Sequence, residues 1–399
     1  MKDKFEEAKP ILTTLMAAGH QAFFVGGAVR DYLLGRESGD VDIATSARPE
    51  QVQALFQKVI PVGIEHGTVM VRHCGESYEV TTFRVEGEYS DFRHPDHVSF
   101  TSSIEEDLSR RDFTINAIAM DVEGGIVDPY HGQQDLRQQV LNTVRDASQR
   151  FLEDPLRMMR AARFVSQLGF RLSPNTKEAL TTSRELLKEI AVERIAVEME
   201  KLIAGRYVQE GVELLVESGL VHELPIFRNR NNLVPVLESV TSRPLQDMAS
   251  FLSLLVHYST IDVKTFMTEW KLSKATKNKA HTLLDGLERL SCDPLPYVLY
   301  RVGEELLDSF RELMDSVGYD QLHPKTSVGK LFKELPIKSR ADLAVDGKDI
   351  KELFPDEKPG PWIQNLLNDI EYHVLLGQLQ NDRNTIREWV IEWNPHDPS

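Results

Sequence analysis

From about residue 146 onward the apolar residues of this 399-residue chain recur almost throughout at spacings of three and four, whereas before about residue 130 short β-rich segments alternate with helical ones. A period near 3.6 belongs to helices and alternation to strands, so this change divides the chain into two kinds of architecture. Upstream, HGTVMVRH (66–73) and YEVTTFRV (78–85) read as strands among helical stretches, which predicts a mixed α/β domain. Downstream, LRMMRAARFVSQLGF (156–170) and VERIAVEMEKLIAG (192–205) read as amphipathic helices, with Gly205 as a stop signal. RNRNNLVP (228–235) and PDEKPGPW (355–362) read as loops, the first a candidate joint between domains. The opening MKDKFEEAKPILTTLMAAGH fits an amphipathic helix rather than a secretory signal. No stretch approaches the roughly 18 apolar residues of a membrane span.

Composition narrows the class. At 41% hydrophobic the chain can bury a large core and divide into several domains. Cys74 and Cys292 are the only cysteines, too few for a disulfide framework or a cysteine-rich zinc site, which favours a reducing cytoplasm. A formal charge of -16 excludes a general nucleic-acid coat, because such binding rests on clustered Lys and Arg. Any nucleic-acid partner must meet a local basic surface.

The stretch FFVGGAVRDYLLGRESGDVDIAT (23–45) carries the densest chemistry. In a strand, Asp40 and Asp42 would point to one face, about 7 Å apart along the chain. Paired carboxylates call for a hard cation such as Mg²⁺, and paired metal sites serve phosphoryl and nucleotidyl transfer. Gly26 and Gly27 let the backbone approach a phosphate closely, and Arg30 can neutralise it. Read separately, the glycines are a turn and the aspartates a solvated strand edge; together they form a triphosphate and metal cradle.

This stretch, followed by RRDFTINA (110–117), DPYHGQQDL (128–136) and EDPLRMMRAARF (153–164), resembles the motif set of bacterial class II CCA-adding enzymes, tRNA nucleotidyltransferases of the DNA polymerase β superfamily. The motifs stand in that family's order across residues 23–164, and SRADLAVDGKDIKELF extends the likeness more loosely toward residue 375. The resemblance implies an α+β, polymerase β-like nucleotidyltransferase domain with a mixed β-sheet, followed by an all-α array. Its expected parts are a catalytic head (1–145), a nucleotide-selecting neck (146–205), a body (206–300) and a tRNA-binding tail (301–399).

The resemblance also assigns residues. Asp40 and Asp42 are expected to hold Mg²⁺, with Glu79 on YEVTTFR as a third acidic candidate or an exposed strand glutamate. Gly27, Arg30 and Arg111 are expected to contact the nucleotide, and Asp112 and Asn116 the ribose hydroxyls. Read without it, RRDFTINA is a helix N-terminus capped by Asp112.

EDPLRMMRAARF reads locally as a helix capped by Asp154 with Pro155 at its first position, and Arg157, Arg160 and Arg163 fall within about 120° on one face. The resemblance assigns Asp154 and Arg157 to the incoming base, with Arg160 and Arg163 continuing the stripe toward phosphate or base. Base chemistry supports that pairing. Cytosine and adenine each place an amino donor beside a ring-nitrogen acceptor, which an aspartate and an arginine complement, whereas uracil and guanine present the reverse.

The implied activity is template-independent addition of CCA to the 3′ end of tRNA from CTP and ATP. The helical remainder would follow the tRNA from acceptor arm to elbow, with Lys325, Lys330, Lys333, Lys338 and Arg340 as candidate basic surface. DPYHGQQDL reads as a turn and, by resemblance, a flexible connector. Residues 86–98 correspond to a loop needed for adenosine addition; His94 and His97 within it read as solvated, and His396 and Asp397 lend no support to a phosphohydrolase metal site. A poly(A) polymerase or a CC-adding enzyme shares the catalytic motifs, and an inactive RNA-binding protein is the alternative from another class. The sequence does not fix whether the chain works alone or as a homodimer.

Overall fold

The computed structural model describes residues 4–37, 39–87, 92, 97–319 and 327–392. The chain forms two compact units, Met1–Glu238 and Ser239–Ser399. The candidate joint lies just ahead of that division, although 228–235 is not wholly loop: it contains a 3-10 turn over Asn231–Leu233 and the start of helix Val234–Val240.

The first unit is built on a seven-stranded sheet. Its strands are β1 (Ala22–Val25), β2 (Asp42–Thr45), β3 (Val59–Gly63), β4 (Thr68–His73), β5 (Glu76–Thr82), with the ribbon β6 (Arg84–Glu86) and β7 (Val98–Phe100) apart, then β8 (Ala119–Met120) and β9 (Ile126–Val127). The order is β3-β4-β5-β2-β1-β8-β9, with β2 and β5 parallel and the remaining pairs antiparallel, so the sheet is mixed as the sequence implies. The N-terminal helix α1 (Lys4–Ala17) buries Phe5, Ala8, Ile11, Leu12 and Leu15, the apolar stripe of its helical period. Phe5 meets Phe24 of β1 edge to face, ring centroids 5.0 Å apart. Short helices α2 (Gly27–Leu33), α3 (Pro49–Leu55), α4 (Ile104–Ser109) and α5 (Gly132–Gln138) connect the strands. Beneath the central strands Val25, Ala44, Phe83, Ile104, Leu108, Ala117, Ala119 and Val144 form one buried cluster.

Helices take over at α6 (Ala147–Glu153), followed by α7 (Leu156–Leu168), α8 (Pro174–Ser183), α9 (Val192–Ile203) and α10 (Val208–Glu217). Helix α7 packs against both α9 and α10. Gly205 does not end α9 through a left-handed turn, as its sequence position suggests; Ala204 is the cap. It is there for closeness, since a Cβ would lie 2.0 Å from Ser166 Oγ and 2.6 Å from Ser166 O of α7. Gly205→Ala is therefore expected to destabilise the first unit by about 1–3 kcal/mol, read as a lower urea midpoint. An unchanged midpoint would show that the α7–α9 contact yields.

The second unit is helical throughout its described residues, from Met248–His257 to Arg383–Glu392. Its buried Glu371 accepts hydrogen bonds from Tyr300 OH and Arg340 Nε, both at 2.6 Å, and from Arg340 Nη2 at 2.8 Å. Arg340, expected on a basic surface, is half-buried, and its guanidinium is engaged by the buried Glu371. Lys333 and Lys338 are exposed; Lys330, also exposed, pairs loosely with Glu334 at 3.8 Å; Lys325 lies outside the described residues.

Candidate active site

Strand pairing assembles the acidic side of the site. Val25, the last residue of β1, pairs with Asp42, the first of β2. Ile43 pairs with Val80 in parallel register, so Asp42 and Glu79, one step earlier on each strand, leave the same face. Asp40 departs from expectation: it sits exposed in the bend before β2 rather than in the strand. Gly26 turns the chain out of β1 with φ 74° and ψ -140°, a conformation reserved for glycine. A Cβ there would also come within 3.1 Å of Arg111 Nη1.

Burial, then the charge of Glu79, raise the Asp42 carboxyl to about 6; Arg111 opposes the shift and Asp40 adds to it. Among the described residues no three metal-ligating side chains converge into a complete cage. Mg²⁺ does not need one, since it commonly rests on one or two carboxylates and completes its shell with water and substrate phosphates. A half-buried carboxylate facing two further acids fits that demand.

The raised carboxyl has a stability consequence. The unfolded chain loses this proton near 3.8 and the folded chain near 6, so stability falls as pH rises through that window and the full penalty holds above it. The difference corresponds to roughly 3 kcal/mol at most. Asp42→Asn is therefore expected to stabilise the metal-free protein by about 2–3 kcal/mol at pH 8 and by almost nothing near pH 3.5, measured by urea unfolding in chelator. Equal midpoints at pH 8 would remove the electrostatic strain argued here.

The segment RRDFTINA forms no capped helix. It contains a single 3-10 turn, Thr114–Asn116, preceded by Phe113, and Asp112 is buried beneath it. One Asp112 oxygen accepts from Phe113 N–H at 2.8 Å and Asn116 Nδ2 at 3.1 Å; the other accepts from Arg160 Nε at 2.7 Å. Burial pushes this carboxyl up, but Arg160 and these hydrogen bonds outweigh it and hold it well below the ordinary carboxylate range. Asn116 Oδ1 in turn accepts from Arg30 Nη1 at 2.9 Å. Asp112 and Asn116, expected to read ribose, line the cleft and bridge Arg30 to Arg160. Arg111 Nε, also buried, has no hydrogen-bond partner among the described residues.

The arginine stripe lies where its spacing predicts, on α7, and only Arg160 keeps substantial solvent exposure, at 34%. Arg157 and Arg163 are buried. Arg157 Nη1 donates to Glu153 at 2.7 Å and to Arg150 O at 3.1 Å, and its Nη2 to Arg110 O at 3.3 Å. Arg163 Nε donates to Glu198 Oε2 at 2.5 Å. The guanidinium carbons of Arg163, Arg30 and Arg160 stand 4.0, 5.2 and 5.7 Å from the Phe164 ring centroid. Asp154 is the residue between α6 and α7, with Pro155 as the cap of α7, one position later than expected. Its Oδ1 accepts from Leu156 N–H at 3.2 Å and its Oδ2 from Arg194 Nη2 at 3.0 Å.

A cleft of about 610 Å³ gathers these groups. Gly27, Arg30, Asp42, Glu79, Arg111, Asp112, Asn116, Asp154, Arg157, Arg160 and Arg163 all line it; Asp40 does not. Arg84, Glu86, Arg110, Phe164 and Arg194 line it as well and were not expected. Eight arginines face five carboxylates here, a local cationic excess within an acidic chain. Of the unexpected residues, Arg110 opens the RRDFTINA run and Phe164 closes EDPLRMMRAARF, whereas Arg84, Glu86 and Arg194 stand outside the recognised motifs. Arg194 carries no local signal, because its partner lies 40 residues away. His94 and most of the 86–98 loop, with His396 and Asp397, fall outside the described residues, and His97 is exposed.

Comparison with known proteins places the chain in a family. Residues 22–142 match the family described as Poly A polymerase head domain, residues 169–229 that described as Probable RNA and SrmB- binding site of polymerase A, and residues 245–390 the putative tRNA nucleotidyltransferase domain 2. A CCA-adding enzyme of Anoxybacillus flavithermus is 44% identical over 98% of both chains. The crystal structure of the Bacillus stearothermophilus CCA-adding enzyme in complex with CTP superposes with a TM-score of 0.85 at 40% identity, covering 98% of each chain. A tRNA nucleotidyltransferase complexed with a primer tRNA and an incoming ATP analog is 25% identical with a TM-score of 0.61, over 81% of this chain and 98% of that one.

Proposed function

Because this chain belongs to the family of CCA-adding enzymes, we propose that its arginine-lined cleft receives CTP and then ATP and joins each to the 3′ end of a tRNA. The observation that carries this reading is the meeting, in one cleft, of Asp42, the Gly26–Gly27 turn and the Asp154–Arg157 segment. Asp40 and Asp42 would hold Mg²⁺, which when bound supplies charge stabilisation to the triphosphate and activates the attacking hydroxyl. Arg30 and Arg111 counter phosphate charge, the latter with an unpartnered N–H. Asp154 and Arg157 present acceptor and donor to the base edge. Asp112 and Asn116 fix the distance between the phosphate-facing Arg30 and the base-facing helix α7, and ribose hydroxyls would meet the same pair. Glu79 contributes field at Asp42.

We further propose the division into head (1–145), neck (146–205), body (206–300) and tail (301–399), and a cytoplasmic site of action in keeping with the family. No described helix is long and apolar enough to cross a membrane.

Primer extension on tRNA lacking its 3′ CCA, with Mg²⁺ and each nucleotide alone and then CTP with ATP, tests the reading. Addition of CC with CTP, of A once ATP is present, and then arrest is expected. A long adenosine ladder would make the chain a poly(A) polymerase, a stop after CC a CC-adding enzyme, and no product a binding protein.

A further inference from the structure

Asp154 is expected to read the amino group of the incoming base, yet its carboxylate is not free. Arg194 of α9 donates to its Oδ2 at 3.0 Å, and both side chains are mostly removed from solvent, 24% exposed for the arginine and 17% for the aspartate. One turn later on the same helix, Glu198 accepts from Arg163 and stands 3.9 Å from Arg160. Helix α9 therefore presents a cation and an anion, spaced to share one face, against the entrance and the middle of α7. The cation meets the acidic residue just before α7, and the anion meets the basic residues within it.

We propose that Arg194 is a positioning residue for base selection. It holds the Asp154 carboxylate in one rotamer, with Leu156 N–H engaging the other oxygen, so that the remaining lone pairs face the cleft as fixed acceptors. A base presenting a carbonyl where cytosine and adenine present an amino group then meets an acceptor that cannot turn away. Without Arg194 the carboxylate regains rotational freedom, and the penalty against uracil and guanine shrinks because the mismatched oxygen can swing aside. Arg194 belongs to the machinery that rejects wrong nucleotides more than to that which turns over right ones. This inference rests on Asp154 being a base reader.

The test is a double-mutant cycle on Arg194→Met and Asp154→Ala, reading single-nucleotide kcat/KM for CTP and UTP on tRNA lacking CCA, beside Tm for each variant. Arg194→Met is expected to lower the CTP/UTP ratio about 10-fold, within the range that one base contact controls, with a smaller change in kcat for CTP. Arg194→Lys, which keeps the charge and one donor, should recover most of the ratio. In the Asp154→Ala background, Arg194→Met should change the ratio no further. A ratio unchanged by Arg194→Met in folded protein overturns the proposal, as does an equal loss with and without Asp154. Should Arg194→Met fail to fold, Arg194→Gln carries the same cycle. If Asp154→Ala by itself leaves selection intact, the base-reading assignment fails instead, which keeps the two failures apart.

Discussion

Asp42→Ala is expected to reduce nucleotide addition by about 10³-fold or more while leaving affinity for tRNA within about twofold. The size follows from its setting: Asp42 is the acid at the head of β2 that lines the cleft, beside the Gly26 turn and aligned with Glu79. A carboxylate here loses hydration and faces like charge, so its ionised form is favoured only when a cation compensates it. Removing the group forfeits several kcal/mol of transition-state charge stabilisation, and each 1.36 kcal/mol is tenfold in rate. Asp40→Ala should also be severe, since Asp40 adds its charge to that of Asp42 where the cation would sit. Glu79→Gln should cost less, because Glu79 is solvent-exposed and acts on Asp42 through its field. Single-turnover addition of one cytidine, with tRNA binding measured alongside, decides; turnover within tenfold of the parent would remove Asp42 from the chemistry. The Asp42→Asn variant adds an independent sign, since a group held for function at a cost to folding should yield stability when neutralised.

Much of this was legible because the decisive information was local. Gly26, Asp42 and the stripe Arg157, Arg160 and Arg163 announce themselves through spacing, and the chain needs only strand and helix geometry to aim them. The change of period near residue 146 likewise locates the end of the sheet-bearing part, since the strands after β9 are two-residue pairs at Val140–Leu141 and Arg171–Leu172. What spacing does not carry is the partner. Asp112 looks like a helix cap because caps are local, but its three donors come from Phe113, Asn116 and, 48 residues on, Arg160. Spacing along α7 does not show what neutralises its arginines, because the acids lie on the preceding helix, on the segment before β8 and on α9. Gly205 looks like a stop signal, whereas its reason is the Ser166 side chain on another helix. In each case tertiary packing decided between readings that the local chain allows equally.

Asp154→Ala is expected to lower the preference for CTP over UTP, and for ATP over GTP, by about 10- to 100-fold each. A bidentate contact to a base edge controls about 1–3 kcal/mol, and this substitution removes the acceptor half outright. Cytosine and adenine lose one hydrogen bond, while uracil and guanine lose a clash between two oxygens, so correct addition should slow as wrong addition rises. Asp154 is the cleaner of the two base-facing positions to alter. Its carboxylate is held by one ion pair and one turn contact, and the Arg194 left behind is 24% exposed, so water can satisfy it. Arg157 is buried and ties α7 to Arg110 O, Arg150 O and Glu153, so Arg157→Ala should cost stability as well as selection. The contrast can be measured: Asp154→Ala should shift the four-nucleotide incorporation profile at nearly constant Tm, whereas Arg157→Ala should shift both. If Asp154→Ala retains the parent profile, selection must rest on the shape of the cleft rather than on a carboxylate facing the base.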